Sequence, residues 1–521
     1  MRPTFLAFHT AHRALAASQA NIDVVGNNIS NVNTAGYTRQ RVDLNSISNT
    51  ATGQRYIAHG PQIGHGVEVS NFSQIRDPFL DARYRNEASE NGKFNTILAG
   101  LADLERVLDE VDTLGLQNEI SNFVNQLQTL SQTPTSKDLS LIVRTAAQKV
   151  TQIMNVYSNQ INEVRDQQIF DLKDVVIENQ FNSLVKNIAL LNTQIREELT
   201  HGNTPNELYD QRNMLIDELS SIANIKVTIT PEKISEDLTI ENLSISLYDT
   251  NFGGNTLGLV QGGLFNTLTV VGGDNGTQAR IEVNSSFGAP PDKDVTELIT
   301  GGSIRGYLDL INGKGVYADT SSKENEFRGT LYYLNAMNTF AKNFAQVFNE
   351  LNAIATPPPD TKDLFTSSDG ISPITAGNII ISTKWLEDPT YITTTDGNSG
   401  PGSSDNVLRM IEAVTNKRDF LIDPNDNDSG KMFHGNFAEY LTGMTGELAL
   451  DIDLNKNFAN TSDSVLGNLF VSREAMSGVN LDEEGINLMA FQKSYNAAAR
   501  YFTALDEAVD TIINRMGLVG R

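Results

Sequence analysis

The sequence predicts an α+β multidomain fold: a long helical bundle built from the N- and C-terminal segments, with β-rich inserted domains. Three observations carry this reading. Apolar residues spaced alternately three and four apart run through both ends of the chain, the pattern of helices that bury a narrow stripe. Residues 135–201 contain neither Gly nor Pro and keep apolar side chains at helical spacing. At residue 225 the apolar period drops to two, and Gly-Gly pairs at 253–254, 262–263 and 272–273 punctuate the stretch.

Taken in order, the N-terminal seam runs through Phe8, Ala11, Leu15, Ser18, Ile22, Val25, Ile29 and Val32, and predicts a coiled-coil helix within 1–36. Asn31, Asn33 and Gly36 favour chain reversal and end it. Residues 37–224 form a helical domain with an extended N-terminal part. Tyr37 to Leu44 and Val67 to Val69 alternate as strands, and helix resumes after Pro78. Phe94, Ile97, Leu101, Leu104, Leu108 and Val111 make one stripe; Ile120, Phe123, Leu127 and Leu130 make another. The Gly- and Pro-free stretch predicts long helices with a break near Asp166 to Asp174, and a further helix spans 206–222. Residues 225–300 read as a β-rich inserted domain: Ile225, Val227 and Ile229 alternate, as do Leu243, Ile245 and Leu247. Helix returns over 301–356 and stops at Pro357-Pro358-Pro359. Residues 357–436, rich in Gly, Ser, Thr and Asp, predict a smaller β-containing insert with a strand near Asn378 to Ser382. Helix resumes over 437–480. The chain ends in a second coiled-coil helix over 481–521, whose seam is Leu488, Phe491, Tyr495, Ala498, Phe502, Leu505, Val509, Ile512 and Met516.

A chain of 521 residues suggests two to four domains. Its 39 Lys and Arg face 64 Asp and Glu, a net charge of −25. That balance argues against nucleic acid, whose recognition needs a basic surface, and against an anionic membrane. No run of about 18 apolar residues occurs, so no membrane insertion is expected. His9, Thr10, His12 and Arg13 interrupt the apolar start, so no cleaved signal is expected either. The absence of cysteine removes disulfides, thiolate nucleophiles and Cys-ligated metals together.

No constellation of catalytic residues emerges, and no enzyme, cofactor or metal is predicted. Of six histidines only His9 and His12 share a helical face, without a third ligand. Asp423 to Gly430 imitates a calcium loop but lacks the bidentate Glu, with Asn436 in its place. Asp451, Asp453 and Asn455 alternate with Lys456 where Gly belongs, so both segments read as acidic turns. The glycines at 60, 64 and 66 lack a following Lys-Ser/Thr, and no G-x-S-x-G elbow is present.

The segment Ile22 to Arg41 (IDVVGNNISNVNTAGYTRQR) resembles the N-terminal motif of the rod, hook and hook-associated axial proteins of bacterial flagella. Asn27, Asn28 and Asn31 carry the general core. Gly36, Tyr37 and Arg39 look more like the hook-associated protein 1 family, the first layer of the hook–filament junction. Ser477, Gly478, Asn480, Leu481, Asp482, Glu483 and Glu484 are similar to that family's closing segment. Leu208 to Arg212 resembles its internal helix, and Asp363 to Phe365 with Ala376 to Ile379 its later insert.

The resemblance implies a structural subunit of the hook–filament junction. It would be exported through the flagellar type III apparatus without a cleaved signal, to an extracellular place on the flagellum. Its partners would be copies of itself in a ring or helical layer, the hook protein and the second hook-associated protein. A cytoplasmic export chaperone would mask the C-terminal helix beforehand. Phe8, Leu15, Ile22, Val25, Ile29 and Val32, with Leu488, Phe491, Tyr495, Phe502, Leu505, Val509, Ile512 and Met516, would then mediate self-assembly, the C-terminal set also binding the chaperone. The alternatives are another axial protein, such as a hook or distal-rod subunit, or a secreted cell-wall hydrolase carrying axial ends.

Overall fold

A computed structural model of the chain describes residues 6–47, 64–108, 115–234, 239–247, 257–273, 276–288, 293–319, 325–353, 362–396, 400, 402–423 and 430–515. It is an α+β fold dominated by helices, with small separate sheets. Helix α1 (Leu6–Ser30) leads into an antiparallel hairpin of β1 (Gln40–Ser46) and β2 (Val67–Gln74), with a register shift at Asp43/Leu44. Then come α2 (Pro78–Leu108), α3 (Leu116–Gln132) and α4 (Lys137–Phe170). Ser136 caps α4 by accepting the Leu139 amide.

Where the sequence predicts a break near Asp166 to Asp174, the helix instead widens. A π-helical stretch, Asp171–Phe181, carries it without interruption into α5 (Asn182–Thr200). The buried Arg165 guanidinium anchors this point to three carbonyls, donating to Gly273 at 2.7 Å, Thr277 at 2.6 Å and Ile311 at 3.3 Å. A polar run reads as a break, but widening keeps every turn hydrogen-bonded and turns Leu172, Val176, Ile177 and Phe181 inward.

Helix α6 (Asn206–Ile222) precedes β3 (Ile225–Lys233), β4 (Thr239–Leu247), β5 (Gly258–Gln261) and β6 (Leu264–Phe265), which form one antiparallel sheet in that order. Ile225 pairs with Leu247, Val227 with Ile245 and Ile229 with Leu243. Strands β7 (Thr267–Gly272) and β8 (Ala279–Asn284) make a separate hairpin. These strands share one hydrophobic cluster with helices: Leu243, Ile245, Leu268 and Ile281 pack with Phe181, Val185, Ile216 and Leu219.

Helix α7 (Gly302–Asn312) joins this cluster to a second one, giving Ile304, Leu308 and Ile311 to the first and Leu310 to the other. Its start requires glycine. Gly302 has φ +80°, and a Cβ there would stand 2.1 Å from the Ile222 carbonyl oxygen. The second cluster is built around α8 (Thr330–Asn352), whose Phe340, Phe344 and Phe348 line up at helical spacing. Phe344 meets Phe348 at 4.8 Å, Phe365 at 5.2 Å and Phe437 at 5.6 Å between ring centroids.

The described parts of 362–435 pack around this helix. Strands β9 (Phe365–Ser367) and β10 (Ile379–Ile381) pair, and α9 (Thr383–Glu387) buries Trp385 against Phe365. Helix α10 (Asp405–Thr415) is absent from the sequence reading; it buries Val407, Met410 and Val414 within a Gly-, Ser- and Asp-rich neighbourhood. Strands β11 (Arg418–Leu421) and β12 (Lys431–Gly435) come next.

Helix α11 (Phe437–Ser477) opens on a capping box between Asn436 and Glu439 and runs for 41 residues, roughly 60 Å at 1.5 Å per residue. It corrects the reading of Asp451, Asp453 and Asn455 as a turn. They lie inside the helix, where Asp451 receives the Arg328 guanidinium at 2.7 Å and the Asn455 amide donates to the Asp451 carbonyl. Alternating acids need not turn when a cation and the helix ladder hold them. In the other acidic segment, residues 424–429 lie outside the described residues, as do Val111 and Pro357 to Pro359. Helix α12 (Leu481–Asp510) and a final wide turn, Thr511–Arg515, end the described chain.

Phe344→Ala removes the ring common to these stacks. It should destabilise the protein by about 3–5 kcal/mol, the usual range for a buried Phe. Urea unfolding followed by circular dichroism measures it, and a loss below about 1 kcal/mol contradicts the placement of this core.

Candidate assembly site

Helix α1 ends in a turn held by asparagines. Asn31 donates its side-chain amide to the Asn27 carbonyl at 3.0 Å and to the Asn27 Oδ1 at 2.8 Å. Gly36 then reverses the chain at φ +74°, and a Cβ there would stand 2.3 Å from the Met214 sulfur. The reversal lays residues 37–40 back along the end of α1. There Asn28, 1% exposed, behaves like a strand neighbour. Its Nδ2 donates to the Gln40 carbonyl at 3.0 Å, and its Oδ1 accepts from the Gln40 amide at 3.0 Å and the Tyr37 hydroxyl at 2.9 Å. Burial first, then the carboxylates of Asp210, Glu207 and Glu484, push the Tyr37 phenol well up, so it stays a neutral donor.

The C-terminal motif closes on the same place. Asn480 caps α12, accepting from the amides of Asp482 at 3.0 Å and Glu483 at 3.4 Å. Glu484, also 1% exposed, takes Nε of Arg39 at 2.7 Å and the Asn28 amide at 3.3 Å. Arg39 reaches Glu483 with Nη1 at 2.9 Å, and its backbone amide donates to the Ser477 carbonyl at 2.8 Å. Gly478 closes α11 by donating to the Glu474 carbonyl, and Leu481 stays exposed.

A third segment completes this polar knot. Asp210, on α6, accepts the Thr38 amide at 3.1 Å and the Gln74 side chain at 2.9 Å. Burial raises its pKa, opposed by those hydrogen bonds and by Arg76. The segments 27–40, 208–212 and 477–484, far apart in the chain, therefore meet in one network.

The knot sets the two terminal helices antiparallel. Asn28 and Glu484 meet at one end; Phe8 and Phe502 meet edge-on at the other, 5.3 Å between centroids. On α1, Val25 is buried, Phe8, Leu15, Ile22 and Ile29 are half-buried, and Val32 lies beyond the helix in the turn. On α12, Leu488, Phe491, Leu505 and Val509 are half-buried and Tyr495 and Phe502 more exposed, as is Ile512 in the wide turn that follows. Met516 lies outside the described residues. Glu484 is the one described residue of α12 that is buried. The helix also turns Ile486, 63% exposed, and Met489, 57% exposed, to its surface, a feature the seam alone does not reveal.

Two further features are absent from the sequence reading. Helix α1 packs against the β1–β2 hairpin as well as α12, with Arg13 donating to the His65 carbonyl at 3.1 Å. The buried carboxylate of Glu484 reads in sequence as an ordinary acidic residue of a first helical turn, and only its distant partners reveal it. His9 and His12 are exposed on α1, and no group of three metal-ligating side chains occurs among the described residues.

Arg39→Gln leaves the Glu484 carboxylate buried without a cation. Breaking one side of a buried pair costs about 3–5 kcal/mol. Hydrogen exchange should therefore accelerate through α12 while amides of α8 stay protected. Unchanged exchange in α12 would mean that the knot does not hold the helix.

Three family descriptions match the chain. "Flagella basal body rod protein" covers residues 8–38, "Flagellar hook-associated protein FlgK helical domain" residues 101–356, and "Flagellar basal body rod FlgEFG protein C-terminal" residues 473–516. Flagellar hook-associated protein 1 of Bacillus subtilis is 29% identical over the full length of both chains. Its counterpart in Salmonella typhimurium is 24% identical over 97% of this chain and 98% of its own. The fold resembles that of the flagellar hook junction protein FlgK from Burkholderia pseudomallei, with a TM-score of 0.55, 12% identity, and 75% of this chain and 99% of that chain covered. These relatives are structural flagellar proteins. The first match holds Asn28 and the last holds Glu484, which meet in the knot, and the relatives from Bacillus subtilis and Salmonella typhimurium align from end to end. The chain belongs to the flagellar hook-associated protein 1 family.

Proposed function

We propose that this chain is a structural subunit of the flagellar axis, forming the junction between hook and filament and joining its neighbours through α1 and α12. The observation that carries this is the unfinished burial of the α1–α12 pair. Two helices cover only one side of each other, and α12 keeps Leu481, Ile486, Met489 and Tyr501 about half or more exposed, as the turn after it keeps Ile513. An apolar surface of this kind is satisfied by further helices of the same sort, which neighbouring subunits supply. Contacts between unlike surfaces propagate into rings or helical layers and do not close a dimer.

Family membership brings association with other flagellar axial proteins and a place in the flagellum. The finer reading is that copies of the chain form one layer, with hook protein on one side and the second hook-associated protein on the other. Export runs through the flagellar type III apparatus without a cleaved signal. A cytoplasmic chaperone covers α12 until then, because its exposed side chains would otherwise aggregate. Nothing favours the hydrolase reading.

Phe502→Asp with Leu505→Asp places two charges on the α12 seam. The double variant should abolish junction assembly and chaperone binding while leaving the strands at 225–300 folded, as circular dichroism and chaperone co-purification would record. Normal motility with both substitutions refutes the role of this helix. In the free chain, amides of α1 and α12 should exchange well ahead of those of α8, with only the weak protection that the knot gives, and become strongly protected in assembled flagella. Strong protection before residue 35 and after residue 485 in the monomer contradicts ordering by neighbours.

A further inference from the structure

A cleft of about 900 Å³ opens between β2, the start of α2, α6 and the β3–β4 strands. Its charged lining is cationic in a strongly acidic chain: Arg76, Arg85, Arg212 and Lys226 against Asp81 and Glu241. Two of the arginines are already neutralised. Arg76 grips Asp81 with Nε at 3.0 Å and Nη2 at 2.9 Å, and Arg85 pairs with Asp217 at 2.7 Å.

Arg212 is different. It is 4% exposed, yet no carboxylate of the described residues stands within 4.0 Å of it. Its Nη1 donates to the amide oxygen of Asn192 at 3.0 Å, and the Tyr209 ring lies 5.0 Å from its guanidinium carbon. Nε is enclosed with no hydrogen-bond partner. Burial lowers the pKa of this guanidinium to about 10, against the pull of Tyr209 and Glu241, so it remains charged at neutral pH. An isolated buried cation is among the costliest features a fold can carry, and a planar guanidinium is best satisfied by a carboxylate bound through two donors.

We propose that this cleft receives an acidic side chain of a second copy of the chain, whose carboxylate completes Arg212. The inference rests on the reading of the chain as a polymerising subunit. Charge complementarity selects the occupant: 64 acidic residues against 39 basic ones make carboxylates the groups that adjacent copies present most. Position agrees. Gln74 and Asn206 line the cleft and also belong to the knot, through Asp210 and Gln40. The cleft is therefore the back wall of the α1–α12 assembly site, and α6 carries Asp210 for the knot and Arg212 for the cleft.

A photoreactive benzophenone amino acid at Ala82, exposed on the cleft wall, tests this in the full chain within assembled flagella. Irradiation should join two copies of the chain, and mass spectrometry should place the adduct on a segment bearing Asp or Glu. Adding Arg212→Gln, which keeps a donor for Asn192, should lower the adduct by about tenfold. Arg212→Lys, which keeps the charge without the fork, should give an intermediate yield and serves if the Gln variant fails to fold. A chain that enters flagella but gives no chain–chain adduct overturns the proposal. So does an adduct to another protein, or a yield indifferent to both substitutions. A chain absent from flagella altogether would instead sink the subunit reading on which the proposal depends.

Discussion

The structure of the assembly site depends on one buried carboxylate. Glu484 loses its water at the start of α12, and Arg39, which supplies the compensating cation, lies 445 residues away along the chain. Meeting that requirement fixes the rest of the site. Arg39 can stand there only if the chain reverses after α1, and Gly36 and the Asn28–Gln40 pairing make that reversal. Once the knot is closed, α1 and α12 must run antiparallel, which brings Phe8 opposite Phe502. Polar complementarity sets the register; the apolar seams then fill it.

The knot is held from behind by a rigid body. Asp210 ties it to α6, and α6 packs in the cluster that also holds the β3–β6 sheet and the π-helical stretch. Helix α11 serves as the beam between that body and α12. Along it, Asp451 meets Arg328, Ser462 meets Glu87, Phe458 meets Phe94, and Arg473 donates to Asp217, which also holds Arg85. The body has two apolar clusters joined through α7, whereas α12 has a single buried residue and that residue is polar. Stability therefore falls toward the ends, where neighbouring subunits are proposed to make their contacts.

Periodicity reveals what is local and little else. The alternation at 225–229 and 243–247 shows directly as the β3–β4 register, because period two is enforced by a half-buried sheet. The seams at both ends likewise follow from helical geometry. The knot is invisible in the sequence because the bonds that close it join single polar residues 136 to 456 positions apart. Asn28 looks like one more turn-forming asparagine and Glu484 like a helix-capping acid until they are seen together. Helix α10 is hidden by its Gly- and Asp-rich flanks, and the acids at 451 and 453 imitate a turn because sequence spacing does not show that Arg328 is waiting. The motifs resembling flagellar axial proteins mark these positions as special without saying why; the hydrogen bonds supply the reason.

A subunit that joins hook to filament leaves a specific defect when it is missing. Electron microscopy of cells lacking only this gene, with flagellin assayed in the medium, reads that defect. Hooks without filaments and flagellin shed in soluble form are expected, both reversed by restoring the intact chain. Filaments of ordinary length on the hooks of the deletion strain would contradict that role.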